Sequence, residues 1–218
     1  MCADIGGFVI GQHIVAAGTR VDQQPDACGP VRRIDVMRTS HPMAPISLVS
    51  ISGGFEGRFL HHYARLRSFG RALAGLAALG AAKGHRGEIA LQLDGETVLH
   101  TGEVVFSAGL YNTPYYVGGI LMSPDADVAD GMGESVVYRT AVPYWTAVLT
   151  GLRRAAPPPH TGVLRRRWRV ARIESEHPLQ IDGEAIAADA LSISMEPHAL
   201  PVVVSATLTT TGPPSKTP

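Results

Sequence analysis

Along most of this chain apolar residues either crowd into runs of five to eight or alternate with polar ones, and both patterns predict strands. "RRIDVM", from Arg32, and "PISLVSIS", from Pro45, are the first two, the second a continuous apolar run of the kind a sheet buries on both faces. Leu66, Phe69, Leu73 and Leu76 then recur at steps of three and four, predicting one long helix with Arg65, Arg67 and Arg71 on its other faces. Gly70, Gly75 and Gly80 weaken it by up to about 1 kcal/mol each relative to Ala, so it needs tertiary packing. Strands Glu88 to Leu93 and Glu96 to His100 follow, joined by Asp94-Gly95, and after them "EVVFSAGL", "ESVVYR", "RWRVARI", "PLQID", "ALSISM" and "LPVVVSATL". "AVPYWTAVLTGLRRAA" reads as a shorter helix closed by Pro157 to Pro159. Together these predict a mainly β, α+β domain, a sandwich or split barrel with one long helix and one or two short ones. Residues 31–208 form this β domain, 1–30 a loosely defined extension with a strand-like scrap at Phe8 to Ile10, and 209–218 a polar, Pro-rich tail expected to be disordered.

Composition narrows the class. A chain of 218 residues with 45% hydrophobic residues can bury a real core, roughly 70% of its unfolded surface. Lys plus Arg equal Asp plus Glu at 19 each, so no net field points to nucleic acid. Cys2 and Cys28 lack metal-type spacing and point to a reducing, cytoplasmic compartment. Asp4 stands where a signal peptide would be basic, and the small-apolar run Ala72 to Ala82 is too short to cross a bilayer. Any membrane contact is therefore expected to be peripheral, at the inner face.

Two places carry candidate chemistry. "HPLQIDGEAI" contains Asp182-Gly183-Glu184, an Asp-Gly pair between short apolar runs and hence a hairpin turn; the same tripeptide occurs as Asp94-Gly95-Glu96. "NTPYYVGGILMSPDADVADGMGESVV" holds Asp125, Asp127 and Asp130, whose spacing misses the EF-hand pattern. This segment reads either as a polar loop between strands or as a set of hard oxygen donors for Mg²⁺. No G-x-S-x-G elbow is present, the adjacent His61 and His62 lack the spacing of a zinc pair, and Ala81 stands where a Walker A lysine would be required. "LRRRWRVARI" is read as a solvated edge strand or, alternatively, as a basic membrane contact with Trp168 at the interface.

"GGILMSPDADVADGM", then "VARIESEHPLQIDGEAI", then "ALSISMEPHALPVVV" resemble, in order, the carboxy-terminal domain of the diacylglycerol kinase and sphingosine kinase superfamily, with its P-x-A-x-x-x-D-G segment and its D-G-E turn. "RRIDVMR", "ISLVSISGGFEGRF" and "GRALAGLAALGAAKG" resemble that domain's first strands and helix, so the likeness spans about residues 31 to 205. The resemblance implies that Glu184 is the base that takes the proton of a lipid hydroxyl attacking the γ-phosphate of ATP. It also implies a structural Mg²⁺ at Asp127, Asp130 and the Met132 carbonyl, and a lipid substrate met at a membrane surface.

The family's nucleotide lobe carries a G-G-D-G-T loop, and these 218 residues contain no such string. Met1 falls about where that lobe would end, so the chain is expected to be inactive alone, with the lobe supplied by another polypeptide or lost through a misplaced start; the expected partners are a separate nucleotide-binding lobe or a second copy of this chain. The alternative is a non-catalytic lipid-binding or regulatory module derived from a lipid kinase.

Overall fold

The computed structural model describes residues 14–16, 31–82, 86–116 and 119–204. The expectations for Phe8 to Ile10, for Cys2 and Cys28, and for the tail lie outside them. In chain order the strands and helices are β1 (Ile14–Ala16), β2 (Val31–Thr39), β3 (Ile46–Ser47), β4 (Ser50–Gly54), α1 (Phe55–Leu66), α2 (Arg71–Ala82), β5 (Gly87–Leu93), β6 (Glu96–Leu99), β7 (Val104–Val105) and β8 (Ser107–Tyr111). There follow β9 (Tyr115–Tyr116), β10 (Ile120–Leu121), β11 (Gly133–Tyr138), α3 (Ala141–Leu152), β12 (Val163–Trp168), β13 (Val170–Ser175), β14 (Leu179–Ile181), β15 (Glu184–Ile186) and β16 (Ala190–Val204). One sheet runs β3-β2-β16-β13-β5-β6, with β1 on β16 and β7 on β5; the other runs β12-β11-β8-β4-β14-β15. The fold is a mainly β sandwich, as the patterning predicts.

Alternation produces the first sheet: β5 buries Ile89, Leu91 and Leu93 and turns Glu88 and Gln92 to solvent. Continuous apolar or small runs produce the second, because both its faces are covered. One face meets the first sheet, joining Ile51, Leu110, Val137, Leu179 and Trp168 to Met37, Leu91, Ile173 and Ile193 in one core. The other face meets the helices, where Phe106, Tyr111, Val136 and Tyr138 pack with Phe55, Tyr144 and Ala147.

Three apparent strands of the sequence are each divided between the sheets. "PISLVSIS" becomes β3 and β4, "EVVFSAGL" becomes β7 and β8, and "RWRVARI" becomes β12 and β13, with crossings at Leu48-Val49, Phe106 and Arg169. Such corners let one strand serve two layers. Conversely, "ALSISM" and "LPVVVSATL" merge into the single strand β16, whose register shifts between Glu196 and Leu200, where His198 takes φ 52°.

The long helix is also corrected. Gly70, at φ 105°, separates two helices of 12 residues each, α1 and α2. The covered face of α2 is Ala74, Ala78 and Ala82, while Phe69, Leu73 and Leu76 are exposed. Small residues allow closer approach to α1 than leucines would, so the alanine stripe takes the inside. Trp168 is corrected as well: it is fully buried, lying over Gly133, and cannot sit at a membrane interface. The edge-strand reading of β12 holds, with Arg166 and Arg167 exposed.

Candidate functional site

The second D-G-E forms a two-residue turn between β14 and β15, with Asp182 at φ 47° and Gly183 at φ 88°. Positive φ at both positions is what Asp-Gly tolerates best. The echo at Asp94-Gly95 adopts the same geometry, φ 51° and 87°, between β5 and β6. The two differ in what their aspartates hold. Asp94 accepts the amides of Arg169 and Val170 at the corner entering β13. Asp182 accepts four donors: the Ser47 hydroxyl at 2.8 Å and the amides of Leu48, Val49 and Ser50 at 2.7, 2.9 and 2.9 Å. Its carboxylate thereby satisfies the backbone of the β3-β4 corner. Gln180, fully buried, completes the clamp: its amide nitrogen donates to the hydroxyls of Ser50 and Ser52, and its oxygen accepts the Gly183 amide at 2.7 Å. Glu184 opens β15 on the sheet edge, exposed and with no side-chain hydrogen bond among the described residues.

Helix α1 lies against this hairpin. The Gly57 backbone approaches Pro178 so closely that a Cβ there would lie 1.9 Å from the Pro178 carbonyl oxygen. Arg58 Nη1 stands 3.3 Å from His177 Nε2, just before β14. Beside Gly57 is Glu56, 3% exposed, whose carboxylate accepts the Ser107 hydroxyl at 2.8 Å and the Tyr144 hydroxyl at 3.2 Å. Ser52, whose hydroxyl accepts the Gln180 amide, also lies beside Glu56. Burial raises the Glu56 pKa, and the three hydroxyls offset part of that rise. The neighbouring Tyr144 and Tyr111 hydroxyls are pushed well up by burial and then by the Glu56 charge, and Tyr138 is pushed up to about 12, chiefly by burial. No strand or helix period marks Glu56; the available signal is an acid inside the Gly-rich apolar segment "SISGGFEG".

Asp127, Asp130 and Met132 share one loop before β11. Asp127 accepts the Ala129 amide at 3.0 Å and Asp130 the Met132 amide at 2.9 Å, both local turns. The loop is gripped by a residue outside the predicted set, the fully buried Asp35 of β2. Its amide donates to the Val128 carbonyl, and its carboxylate accepts the amides of Gly131 at 2.6 Å and His198 at 2.7 Å. Asn112 joins loop to hairpin, donating both to the Asp35 carbonyl at 2.9 Å and to the Leu48 carbonyl at 3.1 Å. The two candidate places thus share one hydrogen-bonded scaffold through Asp35, Asn112, Leu48 and Asp182.

The loop's oxygens are of the hard type Mg²⁺ takes, but the second Asp130 carboxylate oxygen pairs with Arg167, a cation already in place. Among the described residues no three His, Cys, Asp or Glu side chains converge as a metal set. The Arg167 pair and the two local turns engage these carboxylates in this structure, and no step of the chemistry is routed through an ion in this loop.

Residues 49–204 match the family model described as the YegS C-terminal NAD kinase beta sandwich-like domain. The fold is similar to three solved structures from Bacillus anthracis str. Sterne, each named for diacylglycerol kinase. TM-scores are 0.59, 0.55 and 0.52 at 14%, 12% and 14% identity, over 82%, 82% and 79% of this chain. The chain spans only 59%, 56% and 57% of those proteins. No curated protein matches.

Proposed function

Because the chain belongs to the YegS C-terminal NAD kinase beta sandwich-like family, we propose that it is the lipid-binding lobe of a diacylglycerol-kinase-like enzyme. The observation that carries this reading is the asymmetry of the D-G-E hairpin: Asp182 turned inward and fixed by four donors, Glu184 turned outward on a rigid edge. A base in phosphoryl transfer chiefly orients the attacking oxygen, so its support must be rigid. Glu184 accepts the proton of the lipid hydroxyl as that oxygen bonds to the γ-phosphorus of ATP and the bond to ADP breaks. Mg²⁺ travels with the ATP phosphates, held by a nucleotide lobe on the same or another polypeptide. This lobe contributes lipid and base. No described helix is long and apolar enough to cross a membrane.

The test joins binding to chemistry. Titrating a short-chain diacylglycerol should shift the amide NMR signals of Gly183 and Glu184 and leave Gly95 and Glu96 in place; equal shifts in both hairpins, or none, would overturn the reading. Joined to a nucleotide lobe carrying G-G-D-G-T, the chain should transfer labelled phosphate from ATP to the lipid, and Glu184→Gln should reduce transfer by about 10²-fold or more. Lipid binding with no transfer in that assembly would favour a non-catalytic lipid-binding module.

A further inference from the structure

Helix α2 has no polar side chain after Arg71: it continues ALAGLAALGAA. Its alanine stripe is buried, yet Leu73 is 67% exposed, Leu76 69% and Leu79 39%, and Phe69 in the preceding turn is 74% exposed. Single exposed leucines need no explanation, but Leu73, Leu76 and Leu79 recur at steps of three on one helix and form one apolar face, with Phe69 exposed in the turn before it. The charges around it are segregated. From Gly57 to Gly87 there is no Asp or Glu, while Arg58, Arg65, Arg67, Arg71, Lys83 and Arg86 all fall in this stretch of a chain whose total charge is zero. Arg65 and Arg67 before the helix and Arg86 after it are exposed. The His62 imidazole is held below its usual pKa by burial, then by His61, Arg58 and Arg65.

We propose that this face docks on an anionic lipid bilayer, with α2 lying in the interface plane, Phe69, Leu73, Leu76 and Leu79 at the acyl boundary, and the arginines at both ends on the headgroup phosphates. Twelve residues of helix span about 18 Å, too short to cross the bilayer but long enough to lie on it. Charge selects this occupant. A second copy meeting the same face would set its cluster of cations against an identical cluster, whereas a negative leaflet neutralises it. The inference deepens the lipid-kinase reading and rests on it for the substrate, since docking would bring the lobe to the lipid it acts on.

Vesicles of phosphatidylglycerol with phosphatidylcholine, free of diacylglycerol, separate docking from substrate recognition. The full chain should co-sediment with them, be released by high salt, and bind vesicles of phosphatidylcholine alone at least about tenfold more weakly. Leu73→Ser with Leu76→Ser should lower binding by about tenfold or more with an unchanged far-UV circular dichroism spectrum, since both side chains are exposed. Arg65→Ser with Arg67→Ser should weaken binding and flatten its salt dependence. Equal binding to neutral vesicles, no binding, or variants that bind like the parent would overturn the proposal. So would a dimer in size-exclusion chromatography that the leucine variant converts to monomer, which would assign the face to a second copy. Docking without any lipid-induced shift at Gly183 would leave the membrane face standing and remove the kinase reading alone.

Discussion

At the scale of single residues, some acids of this chain build the scaffold, whereas Glu184 is presented on a sheet edge. Asp182 belongs to the first kind. Its carboxylate accepts three backbone amides and a hydroxyl across more than 130 positions of sequence, and truncation would strand those donors in a partly buried corner. Asp182→Ala is therefore expected to cost about 3 kcal/mol in urea denaturation. Asp182→Asn, which tolerates the positive φ but accepts fewer bonds, should cost less. Glu56 gives a different signature. Burial raises its folded-state pKa above the unfolded value, so the stability linked to its proton is fully present below the unfolded pKa and is lost as pH rises through the folded one. Glu56→Gln should remove that loss. The variant's Tm minus that of the parent should rise with pH above about pH 4.5 and level off above the folded pKa, and a difference independent of pH would refute the assignment. Of these acids, the turn at Asp182 was legible as Asp-Gly between apolar runs. Its partners at residues 47 to 50 were not, because no local pattern announces a bond to a corner so distant in sequence.

At the scale of elements, periodicity located the segments and misjudged how they divide. "PISLVSIS" satisfies the rule for one buried strand, but its middle, Leu48-Val49, leaves the first sheet for the second, with amides satisfied by Asp182 rather than by a ladder. The stripe Leu66, Phe69, Leu73 and Leu76 satisfies the rule for a core-facing helix, but alanines fit the narrow space beside α1. Hydrophobicity alone does not distinguish a face that meets protein from one that meets another apolar phase. The D-G-E, P-x-A-x-x-x-D-G and Gly-rich motifs were legible because each is local. Glycine contacts give the element-level test. Gly57→Ala would drive a methyl into the Pro178 carbonyl, part α1 from the hairpin, and cost about 1–3 kcal/mol or more. At Gly75 a Cβ meets nothing within 4 Å, and Gly75→Ala should stabilise the protein by up to about 1 kcal/mol. Thermal denaturation of the two variants should move Tm in opposite directions; a neutral Gly57→Ala would show that the approach of helix to hairpin is looser than described.

At the scale of the whole molecule, the three corners tie the layers into one unit. A sandwich whose sheets were joined only by surface loops could open one sheet while keeping the other. Here β3-β4, β7-β8 and β12-β13 each pass directly from sheet to sheet, so separating the sheets would pull apart ladders in both. The second sheet is further held between two cores, one shared with the first sheet and one with α1 and α3. Two tryptophans sample these cores separately: Trp168 lies between the sheets, and Trp145 packs on Phe55 and Tyr144 in the helical layer. With Trp145→Phe, fluorescence reports the sandwich core alone; with Trp168→Phe, it reports the helical layer. Urea transitions followed by each signal and by far-UV circular dichroism should share one midpoint and one slope. An earlier transition at Trp145 would mean that the helical layer, with α1 and its hold on the D-G-E hairpin, loosens while the sheets stay closed. The rigid presentation of Glu184 would then depend on whatever docks against the helices, not on the sandwich itself.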